Sequence, residues 1–189
     1  LLVERQGGPG KLNRGDSLLP TVTSYLEAWG ALERFRAAGA RPLTRMQVFH
    51  HRAGLVLESS LDGRGVRAPY LVLPHPVIEQ TLTEAALATG RVEVRYGCRV
   101  GRLLEEGGRV AGVVLQPRPE EEVPVRAGLV VGADGASSTV RSALGIPLPR
   151  RPYDHSYFGV EVSRPAAYED AMRIELHAAG GVLVVPNPS

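Results

Sequence analysis

Between Leu129 and Arg141 the chain reads Leu-Val-Val-Gly-Ala-Asp-Gly-Ala-Ser-Ser-Thr-Val-Arg, and no other stretch limits its fold so tightly. Leu129-Val130-Val131 is a short continuous apolar run, the pattern of a strand covered on both faces of a parallel sheet. It runs into Gly132 and Gly135, residues that let a backbone turn sharply or approach another group closely. Asp134 then stands at the carboxyl end of that strand, where open α/β sheets take their ligands. Ser138 is a good helix cap, and Arg141 follows within one turn of a helix expected over 138–144. A strand, a glycine turn carrying an acid and a capped helix together predict an α/β chain with a nucleotide-binding layer.

The rest of the chain fits around that expectation. An apolar strand opens it at Leu1–Arg5, and a Gly-rich polar loop covers Gln6–Asp16. Leu18, Val22, Leu26, Trp29, Leu32 and Phe35 recur at steps of three and four, which predicts one helix over Ser17–Ala38 stopped by Gly39. A hairpin is expected from Met46–Phe49 and Leu55–Leu57 around polar His50–Gly54, and a second helix through Ile78–Leu87, closed by Gly90. Strands are expected at Val92–Tyr96, Arg99–Leu104 and Val110–Leu115, the last two joined by the tight turn Glu106-Gly107-Gly108. Beyond Pro147 come Tyr157–Val162, Met172–His177 and Val182–Val185, read as strands of a new β region. The fold class is therefore α/β: a Rossmann-like layer with parallel sheet and β-meander over 1–150, then the start of a mainly β region over 151–189. Because both ends fall inside apolar strands, the chain reads as an internal piece of a longer polypeptide.

Composition excludes several functions. The formal charge is only +2, which gives no basis for nucleic-acid binding. Cys98 is the only cysteine, so neither a disulfide framework nor a cysteine metal site is expected. No apolar run approaches the roughly 18 residues of a membrane helix, and no signal-peptide pattern is visible. A cytoplasmic protein is expected. His50 and His51, adjacent in a strand, should point to opposite faces and make a poor metal pair. His155 and His177 read as surface or loop residues, and no metal site is expected.

Two further groups could carry ligand chemistry. Glu4 ends a strand, where a carboxylate can accept both hydroxyls of an adenosine ribose; taken alone it is better read as a solvated charge at a strand end. The glycine loop that should lie about 20 residues before such an acid is absent. Arg14-Gly15-Asp16-Ser17 feeds a helix, where an arginine fork can meet phosphate or where Asp and Ser simply cap the helix.

With these residues in place the chain resembles the FAD-dependent aromatic hydroxylases of the para-hydroxybenzoate hydroxylase type, with ubiquinone-biosynthesis hydroxylases and squalene-epoxidase-like enzymes nearer in pattern. Glu4 falls where that family binds the adenosine ribose. Arg14-Gly15-Asp16-Ser17-Leu18-Leu19-Pro20 resembles the stretch that runs beside the flavin, and Pro74-His75-Pro76 opens a helix whose first residues contact FAD. His75 stands where the family more often has Arg or Gln. Val100 matches a strand residue whose backbone meets the adenine. Gly132 to Arg141 matches the family's Asp-Gly motif, which implies roles for Asp134, Gly135 and Arg141 in FAD binding and NAD(P)H use.

The resemblance implies a monooxygenase. NAD(P)H reduces the flavin, O₂ adds to the ring as a hydroperoxide, and one oxygen passes to an aromatic or prenyl-type small molecule. The cofactor does the chemistry, so no catalytic acid or base is expected. Substrate contacts are expected from the β region after Arg151; His155, Tyr157 and Glu161 are candidates, with structural roles in a sheet the stronger reading for each. The N-terminal GxGxxG and a later Gly-Asp motif of the family are missing, so this piece alone is expected to bind FAD poorly and to be inactive. The alternatives are an FAD-dependent reductase or halogenase of the same fold, or a non-catalytic nucleotide-binding remnant; Lys11 and Trp29 are in the wrong contexts for a halogenase.

Overall fold

The computed structural model of the chain describes residues 1–10, 17–61, 68–163 and 171–188. In chain order its elements are β1 (Leu2–Val3), β2 (Ser17–Leu18), α1 (Pro20–Ala28), α2 (Leu32–Ala37), β3 (Arg41–Leu43), β4 (Arg45–His50), β5 (Gly54–Ser60) and β6 (Tyr70–Val72). There follow α3 (His75–Leu87), β7 (Val94–Arg95), β8 (Arg99–Glu106), β9 (Arg109–Arg118), β10 (Glu121–Arg126), α4 (Thr139–Ala143), β11 (Ala171–His177) and β12 (Gly180–Val184). The chain is mixed α/β, with parallel and antiparallel pairing. Two compact units interleave along the sequence: Leu1–Pro9 with Gly90–Tyr157, and Gly10–Thr89 with Phe158–Ser189.

In the first unit β1 lies parallel to β7, with Leu2 opposite Val94 and Val3 opposite Arg95. The loop after β1 stays tied to the segment after β7: Cys98 N–H donates to the Glu4 carbonyl at 3.0 Å, and Gly97 N–H to that of Gln6 at 2.7 Å. The antiparallel meander β10-β9-β8 follows. Gly107 and Gly108 both have positive φ (57° and 76°), the geometry of the two-residue turn that matches the strands' own twist. Leu103, Val114 and Leu115 are buried in this sheet. Gly112, at φ 154°, lets β10 approach: a Cβ there would stand 2.0 Å from the Val125 carbonyl oxygen.

The second unit holds two sheets. β2 and β3 flank β6, and β12-β11-β4-β5 forms a four-stranded sheet in which β11 runs parallel to β4. Its apolar core gathers Leu26, Ala31, Leu32, Phe35, Leu71, Leu73 and Ile78. The helices α1 and α2 supply Leu26, Leu32 and Phe35, β6 supplies Leu71, and Leu73 and Ile78 come from the segment that begins α3. Thr23 is fully buried among them, and its hydroxyl donates to the Pro69 carbonyl at 2.8 Å, so it costs no unpaired polar group.

Several expected elements differ. The single helix over Ser17–Ala38 is two helices, because Pro20 begins α1 and Gly30, at φ 68°, ends it. The break resets the phase, so Leu26, Leu32 and Phe35 are buried while Trp29 is 69% exposed. Leu129–Val131 is not a strand: Ala127 N–H makes a bond to Ala111 at 2.9 Å, after which the chain leaves the sheet, and Leu129 and Val131 are exposed. Tyr157–Val162 is likewise unpaired and exposed among the described residues; alternation of apolar side chains predicts a strand only where a neighbour is available to bond it. The pattern also concealed β3, β6 and β10. β10 opens on two glutamates and contains Pro124, which an edge strand tolerates.

Among the described residues Phe35 is the largest side chain with no exposed surface. Phe35→Ala should lower the unfolding free energy by about 3–5 kcal/mol, seen as a lower urea midpoint at unchanged slope. A loss below about 1 kcal/mol would mean that this cluster is not the unit's core.

Candidate functional site

The segment expected to carry the chemistry folds into a self-contained loop and helix in the first unit. Gly132 lies so close to α4 that a Cβ would stand 2.7 Å from the Val140 Cβ. Gly135 takes φ 79°, turning the chain back so that Asp134 faces the start of α4. Asp134 Oδ1 accepts from the Ser138 hydroxyl at 2.5 Å, and Oδ2 accepts from Thr139 N–H at 2.6 Å and Val140 N–H at 3.3 Å. Ser138 in turn accepts from Arg141 N–H at 3.0 Å, the ordinary N-cap bond. Arg141 Nη1 donates to the Ala136 carbonyl at 2.9 Å, closing the loop. Desolvation pushes the Asp134 carboxyl up, but the hydrogen bonds from Ser138 and from the Val140 and Thr139 amides outweigh it and hold the group below its ordinary range.

Asp134, Gly135 and Arg141 are therefore brought together, and α4 packs on β8. Both carboxylate oxygens of Asp134 are engaged by the chain itself. The three residues act first as a brace for the turn, the helix-capping role that the sequence also allowed for Ser138.

Glu4 is half-buried just beyond β1. Its Oε1 accepts from Gln6 N–H at 2.8 Å, and its backbone bridges Arg95 and Cys98. No other side-chain bond to Glu4 occurs among the described residues, so Oε2 is open to a donor. Val100 pairs with Leu115 in β8, immediately before a bulge that leaves Gly101 without a partner in register. Cys98 is buried beside this stretch, as a packing residue would be.

In the second unit, Ser17 begins β2 opposite Val72, and His75 is the first residue of α3. Arg14, Gly15 and Asp16 lie outside the described residues. The His75 ring is held by Glu79, with Nε2 3.2 Å from Oε1, while Glu79 Oε2 accepts from Gly10 N–H at 2.6 Å. Glu79 was not singled out from sequence; its position one helical turn after His75 was the available signal.

His50 ends β4 and His51 lies in the turn beyond it, so strand alternation does not separate them: their rings are 4.7 Å apart, and His51 stacks on His177 at 5.5 Å. Among the described residues no cluster of His, Cys, Asp and Glu is arranged to hold a metal ion, and no helix is long and apolar enough to cross a membrane.

Comparison with known proteins gives a consistent result. The family described as "FAD binding domain" matches residues 1–186. A 6-methylpretetramide 4-monooxygenase from Streptomyces rimosus is 34% identical over 95% of this chain and 42% of its own length. The mitochondrial ubiquinone biosynthesis monooxygenase COQ6 of Xenopus tropicalis is 26% identical over 76% of this chain and 32% of its own. The crystal structure of Pseudomonas aeruginosa PqsL in complex with 2-aminobenzoylacetate superposes with a TM-score of 0.76 at 22% identity, covering 91% of this chain and 46% of that one, a likeness of fold. The chain thus spans less than half the length of these proteins.

Two expected outcomes follow from the brace. Gly132→Ala should displace α4, and Asp134→Ala should cost about 1 kcal/mol by releasing its capping bonds; both are measured by urea unfolding. Because the folded-state pKa of Asp134 is depressed, its contribution is present above the unfolded value and is lost as pH falls through the folded one. The stability gap between wild type and Asp134→Ala should therefore be full at pH near 7 and close on acidification to about pH 2. A gap independent of pH would contradict this account.

Proposed function

The chain belongs to the FAD binding domain family, and from that premise we propose that it is part of an FAD-dependent monooxygenase that uses NAD(P)H as reductant and hydroxylates or epoxidises an aromatic or prenyl-type small molecule. The observation that carries the reading is Glu4: a half-buried carboxylate just past a parallel strand, one oxygen fixed by the Gln6 amide and the other open. Such a group suits the vicinal hydroxyls of a ribose, which present two donors side by side. The residues present fit FAD in this respect.

In this proposal Glu4 holds the adenosine ribose and the backbone at Val100 meets the adenine. Arg14, Gly15, Asp16 and Ser17, with His75, line the flavin. Gly135 allows close backbone approach, while Asp134 and Arg141 keep that turn in shape through bonds to Ser138, Thr139, Val140 and Ala136. Bound FAD supplies the two-electron chemistry and the activation of dioxygen; the chain's own residues bind and orient it, and none is assigned as acid or base.

Cofactor binding is assigned to residues 1–150 and the beginning of substrate binding to 151–189. That division cuts across the sheet β12-β11-β4-β5, since β11 is hydrogen-bonded to β4 along Ala171–Leu176 and the later strands are completed by two from the earlier segment. A small-molecule partner is supported by the name of the 6-methylpretetramide 4-monooxygenase and by the 2-aminobenzoylacetate held in the PqsL structure. A cytoplasmic location belongs to the same proposal.

The test is a visible absorbance spectrum of the complete polypeptide after incubation with FAD. Flavin bands bleached by NAD(P)H and restored by air are expected, and Glu4→Gln should weaken FAD binding by about tenfold. A complete polypeptide that takes up no FAD would exclude the monooxygenase reading and leave a nucleotide-binding remnant.

A further inference from the structure

Glu79 does something unusual for a helical glutamate. An i,i+4 partner on a helix surface contributes only about 0.2–0.5 kcal/mol, and its geometry is normally loose. Here the carboxylate is half-buried and both oxygens are used in different directions. Oε1 meets His75 Nε2 at 3.2 Å on its own helix, and Oε2 takes the amide of Gly10, 69 residues away in sequence, at 2.6 Å. The bond to Gly10 is charge-assisted and short, as a backbone N–H to carboxylate bond should be. Gly10 is suited to it: a Cβ at that position would stand 3.3 Å from Oε2 and crowd the carboxylate.

Two consequences follow from this bidentate use. With Oε2 pinned by a backbone amide, the carboxylate cannot swing, so Oε1 presents a fixed acceptor to His75. An imidazole nitrogen that faces a carboxylate carries the proton, which places a proton on Nε2 and leaves Nδ1 as the acceptor of the neutral ring. No side chain caps α3, whose N-cap is Pro74, and among the described residues Glu79 is the one side chain that holds the His75 ring.

We propose that Glu79 is a positioning residue of the flavin site, fixing the ring of His75 and the backbone at Gly10 with one anchored carboxylate. The inference rests on the reading of His75 as an FAD contact given above. A histidine offers only two ring nitrogens and needs its orientation imposed. Glu79 imposes it.

The experiment uses the complete polypeptide and measures FAD affinity by titration and the shape of the bound flavin's visible bands, well below the melting temperature. Glu79→Ala is expected to weaken FAD binding by about tenfold and to alter the band envelope. Glu79→Gln keeps an oxygen for the Gly10 amide but turns a donor NH2 toward His75 Nε2, which shifts the ring proton to Nδ1; it should keep the melting temperature while losing about as much affinity as Glu79→Ala. Gly10→Ala, which keeps the amide but presses a methyl on the carboxylate, should weaken binding in the same direction and serves if Glu79→Ala does not fold. A purely structural Glu79 would lower the melting temperature of Glu79→Ala while leaving affinity and spectrum as in wild type, and that result overturns the proposal. Failure of wild type itself to bind FAD is the separate outcome that removes the monooxygenase reading.

Discussion

The six residues of β4 from Arg45 to His50 lie parallel to Ala171–Leu176 of β11, and through that ladder the far end of the chain is joined to its first half. Parallel strands cannot be linked by a tight turn, so the intervening chain must leave the sheet and return. The first unit repeats the arrangement on a smaller scale, with β1 beside β7 and some ninety residues between them. Both pairings interleave the two units along the sequence, because each unit takes a strand from one end of the chain and its partner from elsewhere. The helices and meander are local structures hung on these two long-range joins. Their loop-closure cost falls on few hydrogen bonds, particularly at β1, which is two residues long. The side contacts from Glu4 and Gln6 to Cys98 and Gly97 lengthen that join beyond its formal strands.

What the sequence revealed of the fold divides along this line between local and long-range structure. The β8–β9 turn was legible because Gly107 and Gly108 specify it by themselves. The β4–β5 hairpin and α3 were legible for the same reason: their signals lie within a dozen residues. The β11–β4 ladder was not, because a strand's alternation says that it has a partner and never which one. Leu129–Val131 and Tyr157–Val162 show the converse error. Each has a strand's composition, but hydrogen-bonded neighbours make a strand, and among the described residues neither has them. Gly30 and Pro20 were visible punctuators inside a run of apolar residues whose spacing looked continuous; here the local breakers overrode the period.

The candidate site was legible where glycine and a short acid make a motif and illegible where a long side chain reaches across the fold. Gly132, Asp134, Gly135 and Ser138 were placed correctly as a turn feeding a helix, since each residue's conformational role follows from its type. The destination of the Asp134 carboxylate was not foreseen. It turns inward to Ser138, Thr139 and Val140, because a carboxylate next to free helix amides finds its best partners there. Glu79 was missed for the opposite reason. Nothing in the residues around position 79 points to Gly10, and only the folded backbone brings that amide within 2.6 Å.

Asp134 and Glu79 are carboxylates used in one way by two units of different topology. Each takes a backbone amide with one oxygen and a side-chain group, Ser138 or His75, with the other. A carboxylate engaged on both sides loses its rotational freedom and becomes part of the backbone's geometry, so that it orders the segments flanking it rather than a ligand directly. Glu4 is the contrasting case, engaged on one oxygen only. The distinction separates acids that brace the backbone from one with an oxygen left for a further donor. It turns on how many lone pairs the protein has already committed, a property that residue type and spacing cannot convey and that hydrogen-bond geometry reads directly.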